Sequence, residues 1–548
     1  MNLRPLAFLL SFSTVSVTAF AQYNSSNRDV LTPNTGTWSA GGVTLDGLNF
    51  VNLGLQGVGR IAASAKDPLT GESVGSISDM QVTDWTRTVG GSYTGTFNLL
   101  PDRGYNSGST FSNYAARINT FSFSFTPYTS SAPTTTQNQI QTIYTGTQRF
   151  TYDHDNNAVT APIFTTGLVA NGSTIQFGGQ PIPTVTQSTS NSLEGNMPIA
   201  NRLTLDTEGL AFDPRAGRAG SGWVSDEYGA NIYHFDSSKQ IDAVLAIPQA
   251  LVPHSPVGTV NFNADPPANG RRINQGFEGL AVNHDGTKLL ALLQSATIQD
   301  SGSGNQGRSN TRLLVYDTSN ENAPTDPVAQ YVIQLPRVDS DGSGTVDRTA
   351  AQSSIIAIND TQFLILSRDG NGRGASGAPV FKSILLADIS NATNVDGLYD
   401  TEGAAVAPGG TLAASVTPIE WTEALNLLGK LDLGVTELEQ FGLNLNTAPG
   451  DINSLSEKWE GLSLVSANDP NAPNDYFLFF GNDNDFLTGS GLMLNENGTP
   501  FSYDAGLEND TLLLAFRVQI IPEPGVMALV GVGSLAFFAR RRPKENLL

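Results

Sequence analysis

Short apolar runs alternate along this chain with clusters of Gly, Asn, Asp, Ser and Pro. Gly222-Trp223-Val224-Ser225, Leu289 to Leu293, Arg312 to Tyr316, Phe363 to Ser367, Ile384 to Ala387 and Tyr476 to Phe480 are each bounded by turn formers. They are too short for ordinary helices and rich in β-branched and aromatic residues. The pattern predicts strands throughout and an all-β fold, as a sandwich, barrel or propeller. One patch departs from it. Ile419 to Gly429 and Val435 to Phe441 carry Leu, Glu and Ala at helical spacing and predict a small helical insertion. Residues 105–200, rich in Thr, Ser, Asn and Gln, read as further strands and long polar loops.

The two ends follow a different pattern. Arg4, the mostly apolar stretch Leu6 to Val17 and the small-x-small triplet Ala19-Phe20-Ala21 form the three parts of a cleavable signal peptide over residues 1–21. The mature chain is then expected to begin at Gln22. At the other end, Ile521-Pro522-Glu523-Pro524 precedes the apolar run Gly525 to Ala539, and Arg540, Arg541, Arg542 and Lys544 follow. Arginines beside an apolar segment stay on the cytoplasmic side of a membrane. This order resembles a PEP-CTERM sorting signal. The resemblance implies that residues 520–548 are a transient anchor in the inner membrane, removed by a sorting protease; the alternative is an ordinary C-terminal anchor. Either way the body is expected outside the cytoplasm, at the cell surface, in the medium or in the periplasm.

Charge and composition narrow the function classes. Fifty-one acidic against 29 basic residues give a formal charge of −22. That excludes a basic nucleic-acid footprint and suits a protein that gathers divalent cations. The chain has no cysteine, which removes disulfides, zinc-thiolate sites and cysteine nucleophiles. Its four histidines, His154, His234, His254 and His284, form no His-x-x-x-His pair, so a histidine-rich metal site is not expected. A serine hydrolase built on a nucleophile elbow is not expected either.

An internal repeat carries the candidate chemistry. Thr207-Glu208-Gly209-Leu210-Ala211 recurs as Phe277-Glu278-Gly279-Leu280-Ala281 and as Trp459-Glu460-Gly461-Leu462-Ser463, with Thr401-Glu402-Gly403-Ala404-Ala405 as a degenerate fourth copy. After the three full copies come a turn and a second strand with a polar end: Ser225-Asp226-Glu227, Gln294-Ser295 and Asn482-Asp483-Asn484-Asp485. Asp102-Arg103-Gly104 and Arg368-Asp369-Gly370 end two further strands in the same way. Such a unit suits a propeller blade, whose inner strand faces a central channel; the number of blades stays open. Equivalent positions would then surround one axis, where a ring of carboxylates needs cations to neutralise it. The alternative is local, with each Glu binding backbone at a turn and each Gly supplying a positive φ.

These pieces, in this order, resemble the phytase-like family described as having esterase-like activity of phytase. The match rests on Asp102-Arg103-Gly104, Asp206 to Pro214 with Trp223 to Glu227 and Ile232-Tyr233, Gly276 to Val282 with Asp285-Gly286 and Leu289-Leu290, Leu364 to Asp369, and Trp459 to Leu462 with Asn482 to Phe486. Gln294 stands where the family usually has Glu, and Ser367 where Glu often precedes Arg-Asp. The resemblance implies a β-propeller over about residues 50–519, after a lead-in at 22–49 and with an insertion at about 105–200. It also implies a phosphoester-hydrolase activity. The candidate catalytic rim is Asp102, Arg103, Glu208, Asp226, Glu227, Glu278, Arg368, Asp369, Glu460, Asp483 and Asp485. Glu208, Glu278 and Glu460 are candidate calcium ligands, and Arg103, Arg368 and Lys458 candidate clamps for a substrate oxyanion.

A second metal-like motif is local. In Asp339-Ser340-Asp341-Gly342-Ser343-Gly344-Thr345-Val346-Asp347, side-chain oxygens alternate around a glycine turn as in an EF-hand calcium loop, although Ala350 replaces the closing Glu. Asp339, Asp341, Ser343, Thr345 and Asp347 are its candidate ligands, and a solvated Asp/Gly turn is the alternative. Three functions remain in competition. They are a calcium-dependent phosphoesterase, a non-catalytic surface or matrix propeller that binds polymers, and a metal-dependent lactonase or esterase.

Overall fold

The computed structural model describes residues 28–522, apart from 37–41, 108–109, 131, 154–160, 172–173, 188–198, 264–265, 431–436, 446–449 and 496–498. The expected signal peptide and the apolar C-terminal run lie outside the described residues. Among those described, no helix is long and apolar enough to cross a membrane.

The regular structure of the described residues is almost entirely strand, most of it in five blades whose main strands pair antiparallel. The first holds Asp79–Arg87, Tyr93–Leu100, Arg117–Phe125 and Ile140–Arg149, paired in that order. The second holds Thr207–Phe212, Gly222–Asp226, Asn231–Phe235 and Gln240–Val244, extended by two short outer strands. The third holds Phe277–Val282, Lys288–Leu293, Asn310–Asp317 and Ala329–Gln334. The fourth holds Ala351–Ala357, Gln362–Arg368, Lys382–Asp388 and Glu420–Asn426. The fifth starts with Lys458–Ser466, Asp475–Asp483 and Thr511–Pro522, and is completed by Leu48–Ile61 and Val43–Leu45 from the other end of the chain. The five inner strands touch in a closed ring, each against the next. This is a five-bladed β-propeller closed by pairing the two ends of its chain.

The core lies between blades rather than at one centre. Leu292 and Leu313 pack against Phe363 and Ile365 across the third and fourth blades. Phe97 and Phe123 meet Phe479 and Leu513 across the first and fifth. The strand runs read as continuous apolar stretches because both faces of a blade are covered. Phe363 to Leu366 and Ile384 to Ala387 are each fully buried.

Among the described residues the helical insertion is absent. Glu420–Asn426 is the outer strand of the fourth blade, and Glu439–Phe441 forms a single 3-10 turn. Trp421, Ala424 and Leu425 are buried by pairing with Lys382–Asp388, so tertiary packing overrides the local helical spacing. Val435 and Thr436, part of that expectation, lie outside the described residues. The third and fourth strands of the first blade fall within the polar stretch 105–200.

Strand Thr511–Pro522 bears the closure, pairing Asp475–Asp483 on one side and Leu48–Ile61 on the other. Leu512, Leu513, Leu514 and Phe516 in it are 2% exposed or less. Each such side chain contributes about 1.5–3 kcal/mol, against a typical net stability of about 5–15 kcal/mol. A chain ending at Asp510 is therefore expected to lose its cooperative thermal transition. An unchanged melting temperature by circular dichroism would contradict the closure.

Candidate active site

One local feature builds the site. In the second, third and fifth blades the inner strand carries a β-bulge at its start. Pairing runs Thr207↔Asp226 then Leu210↔Val224, Phe277↔Leu293 then Gly279↔Leu292, and Trp459↔Asn482 then Gly461↔Gly481. Glu208, Glu278 and Glu460 are thus residues left out of the ladder, and a bulge re-aims such a side chain. The glycine that follows is not in the positive-φ region at any of the three sites. It is there for space. A Cβ on Gly209 would stand 2.6 Å from the Glu278 carbonyl oxygen, on Gly279 2.7 Å from Gln352 Oε1, and on Gly461 2.4 Å from Ile77 Cγ2. Each of these neighbours belongs to the next blade or its lead-in. The fourth blade has its own bulge, at Gln352↔Ser367 then Ser354↔Leu366, with Ser353 in the glutamate's place. Thr401 to Ala405, read from the sequence as the degenerate copy, lies instead in the connection before Glu420–Asn426.

Where inner strands begin and second strands end, a cavity of about 350 Å³ opens on the axis. Asp102, Glu208, Glu227, Glu278, Glu457, Glu460 and Asp483 line it, against the cations Arg308, Arg348, Arg368 and Lys458. Burial pushes Glu208 well above the usual carboxylate range, and Glu278 and Glu227 add to the shift. Burial and then Glu460 raise Glu278. Burial also raises Glu227, to about 8, and Glu457, to about 7. Asp102 rises through burial and its neighbour Asp206. Glu278 Oε2, Glu227 Oε1 and Asp206 Oδ1 are buried without a hydrogen-bond partner. Carboxylate oxygens of Asp102, Asp206 and Glu208 lie within 4.8 Å of one another, as do those of Asp102, Asp483 and Asp485. Glu278 and Glu460 line the same cavity but stand outside both groups.

Other residues of the predicted rim are engaged in pairs or turns. Asp226 accepts hydrogen bonds from the backbone N–H groups of Asp206 (2.9 Å) and Gly229 (2.7 Å) and closes its own turn. Asp369 is paired with Lys382 at 2.9 Å, both fully buried, and also accepts from the N–H of Phe381. Arg103 meets Asp206 at 3.0 Å and donates to the Tyr228 hydroxyl. Arg368 is bonded to Glu460, and Gln294 donates to Glu278. Lys458 bridges Asp483 (3.2 Å) and Asp485 (2.6 Å). Ser367 donates to the Ala350 carbonyl, away from the cavity.

Three features escape sequence reasoning. Glu457 was visible beside Lys458-Trp459-Glu460 but belongs to no repeat. Arg308 sits on a loop that carries no motif, and Arg348 begins the short strand Arg348–Thr349 just after the Asp339 to Asp347 motif, outside its ligand pattern. Asp79 lies at the start of the first blade's inner strand, where three other blades have Glu-Gly, but its Ser-Asp-Met context hides the equivalence. It is buried and accepts from Leu210 N (2.8 Å), Met80 N (2.8 Å) and Ser354 Oγ (3.1 Å), tying three blades together. Gly71-Glu72-Ser73-Val74-Gly75 does have nucleophile-elbow spacing, but Ser73 is 1% exposed, accepts from Leu492 N and precedes no helix. The loop Asp339 to Asp347 lies between the third and fourth blades. Its Asp339, Asp341 and Asp347 oxygens also gather within 4.8 Å. There Asp339 accepts from the N–H groups of Ser343 and Gly344, and Asp347 from Ser340.

Residues 73–486 match the family model for esterase-like activity of phytase. The chain belongs to the phytase-like family. A further match, over residues 521–542, is to the PEP-CTERM protein-sorting motif. A relative in Arthroderma benhamiae, described as an uncharacterized secreted protein, is 30% identical over 482 residues, covering 80% of this chain and 88% of its own. This phytase-like protein is therefore an exported one. Among solved structures, the WD40 domain of Toxoplasma gondii coronin (8% identity, 89% of each chain, TM-score 0.25) is similar. So is the PQQ-bound aldose sugar dehydrogenase of Streptomyces coelicolor (10% identity, 87% of this chain and 100% of that one, TM-score 0.25). The blade count comes from the strand pairing itself.

Asp79 gives the site a measurable signature. Burial raises it to about 8, against the pull of its hydrogen bonds. The unfolded chain loses the same proton near pH ~3.9. Between those values the folded state holds the extra proton, so stability falls as pH rises from about 4 to about 8. Asp79→Asn is expected to make that slope shallower in urea unfolding series, the other raised carboxylates supplying the rest. A slope equal to the wild type's would show that Asp79 is ionised in the fold.

Proposed function

We propose that this phytase-like protein is a calcium-dependent phosphoester hydrolase whose active site is the axial cavity. The observation that carries the reading is the set of buried carboxylates with unpartnered oxygens around one opening. Desolvated carboxylates without countercharge are costly, and protons or a cation must offset them. The all-oxygen set of Asp102, Asp206 and Glu208, with Glu278 and Glu460 nearby, suits a hard cation such as calcium. Bound calcium would supply the positive charge that polarises a phosphoester and its attacking water.

The chain's own residues have separable tasks in this reading. Asp102, Asp206 and Glu208 hold the cation, and Arg103 and Tyr228 fix Asp206 and its surroundings. Glu227, raised to about 8, keeps a proton at neutral pH and is placed to give it to the leaving oxygen. Arg368 holds Glu460, and Lys458 holds Asp483 and Asp485. The Asp339 to Asp347 loop is a second, structural calcium position in the same proposal. The competing reading is a surface or matrix propeller that binds a polymer and does no chemistry; the sorting motif favours it, and so do the paired arginines.

Turnover of a phosphoester panel with calcium and with chelator separates the two. Glu208→Gln is expected to lower kcat by on the order of a hundredfold with the fold intact, and Asp341→Ala to lose one calcium equivalent in a calorimetric titration while keeping activity. A wild-type chain inert on every phosphoester with calcium present would leave the binding propeller as the better account.

A further inference from the structure

The arginines nominated by sequence, Arg103 and Arg368, are already bonded to carboxylates. Across the cavity Arg308 meets no carboxylate among the described residues, and Arg348 meets one only at long range. Arg308 ends the loop between the second and third strands of the third blade, and Arg348 lies in the link to the fourth. Both line the cavity, with Asn305 and Thr349 between them. Backbone pairing holds this rim in place. Asn305 bridges Arg348, Thr349 N donates to Asn305 O at 3.1 Å, Ala296 N donates to Arg308 O at 3.1 Å, and Leu335 N donates to Ser309 O at 2.9 Å. Arg308 Nε is buried with no hydrogen-bond partner. The ion pair recorded for Arg348 is a long one, 3.7 Å to its chain neighbour Asp347. Arg272, whose Nε donates to Ser301 Oγ at 3.3 Å, adds a third guanidinium beside Arg308. Like charges held together on a fixed frame are unfavourable until an anion joins them, and planar guanidinium groups match tetrahedral oxyanions.

We propose that Arg308 and Arg348, flanked by Arg272, form an oxyanion-binding rim on the third and fourth blades that receives a phosphate or sulfate group. The rim faces the carboxylate wall across one opening, so a bound ester would span a basic and an acidic side. The inference deepens the hydrolase reading and rests on it for the reaction, but not for binding.

The experiment is a calorimetric titration of the full chain with inorganic sulfate and with inorganic phosphate, with calcium present and with chelator. Arg308→Gln and Arg348→Gln are each expected to weaken binding about tenfold or more, since a charged hydrogen bond is lost. Arg218→Gln, on an exposed turn of the opposite face, is expected to bind as wild type does. A preference for one anion names the ester class. Should a variant fail to fold, phenylglyoxal labelling of the wild type mapped by mass spectrometry is the second reading, and sulfate should protect Arg308 and Arg348 but not Arg218. Equal binding in the variants, no protection, or no anion binding by the wild type under either condition overturns the rim. A wild type that binds sulfate yet hydrolyses nothing overturns the hydrolase reading alone.

Discussion

The close approach of neighbouring inner strands at the axis is the constraint from which the rest follows. Five strands can ring one axis only if backbone comes within contact of backbone, and the Glu-Gly pair makes this possible three times over. The glycine leaves room for the next blade, and the bulge beside it frees the glutamate from the ladder. Adding a Cβ there would press against backbone or packed side chains below ordinary contact distance. One dipeptide thereby closes the ring and populates its opening with carboxylates.

That second effect sets the electrostatics. Buried carboxylates collected around one opening must be protonated, paired or bridged by a cation, and the first two means are seen here. Glu227 and Glu457 are raised into the neutral range by burial. Glu460 and Asp206 are paired with arginines. Asp206 Oδ1 and Glu278 Oε2 are left with neither partner. The fourth blade has Ser353 in place of a glutamate and so adds no carboxylate at that position. The opening thus mixes carboxylates with the cations Arg308, Arg348, Arg368 and Lys458.

Much of this was legible in the sequence because repetition exposes geometry. Three Glu-Gly copies followed by polar strand ends told of equivalent blades and a shared axis. The strands announced themselves through short apolar runs between turns. What stayed hidden had physical reasons. Glu420–Asn426 has helical spacing, and only its pairing with Lys382–Asp388 makes it a strand. The fourth and first blades lack the Glu-Gly spelling, so Ser353 and Asp79 could not be aligned by eye. Asp226 and Asp369 looked like Glu227 and Asp483 in sequence; which acid faces the cavity and which closes a turn depends on backbone donors that no motif records. Arg308 and Arg348 lie far apart in the chain, brought together only by the link between two blades.

The central claim is that the axial carboxylates are held by protons until a divalent cation replaces them. Calcium binding measured calorimetrically in buffers of different ionisation enthalpy counts the protons displaced. The account predicts a net release on the order of one proton per bound ion near neutral pH, reduced in Glu208→Gln, because ligating carboxylates must ionise. Calcium binding with no proton release, or no binding at the axis at all, would contradict it.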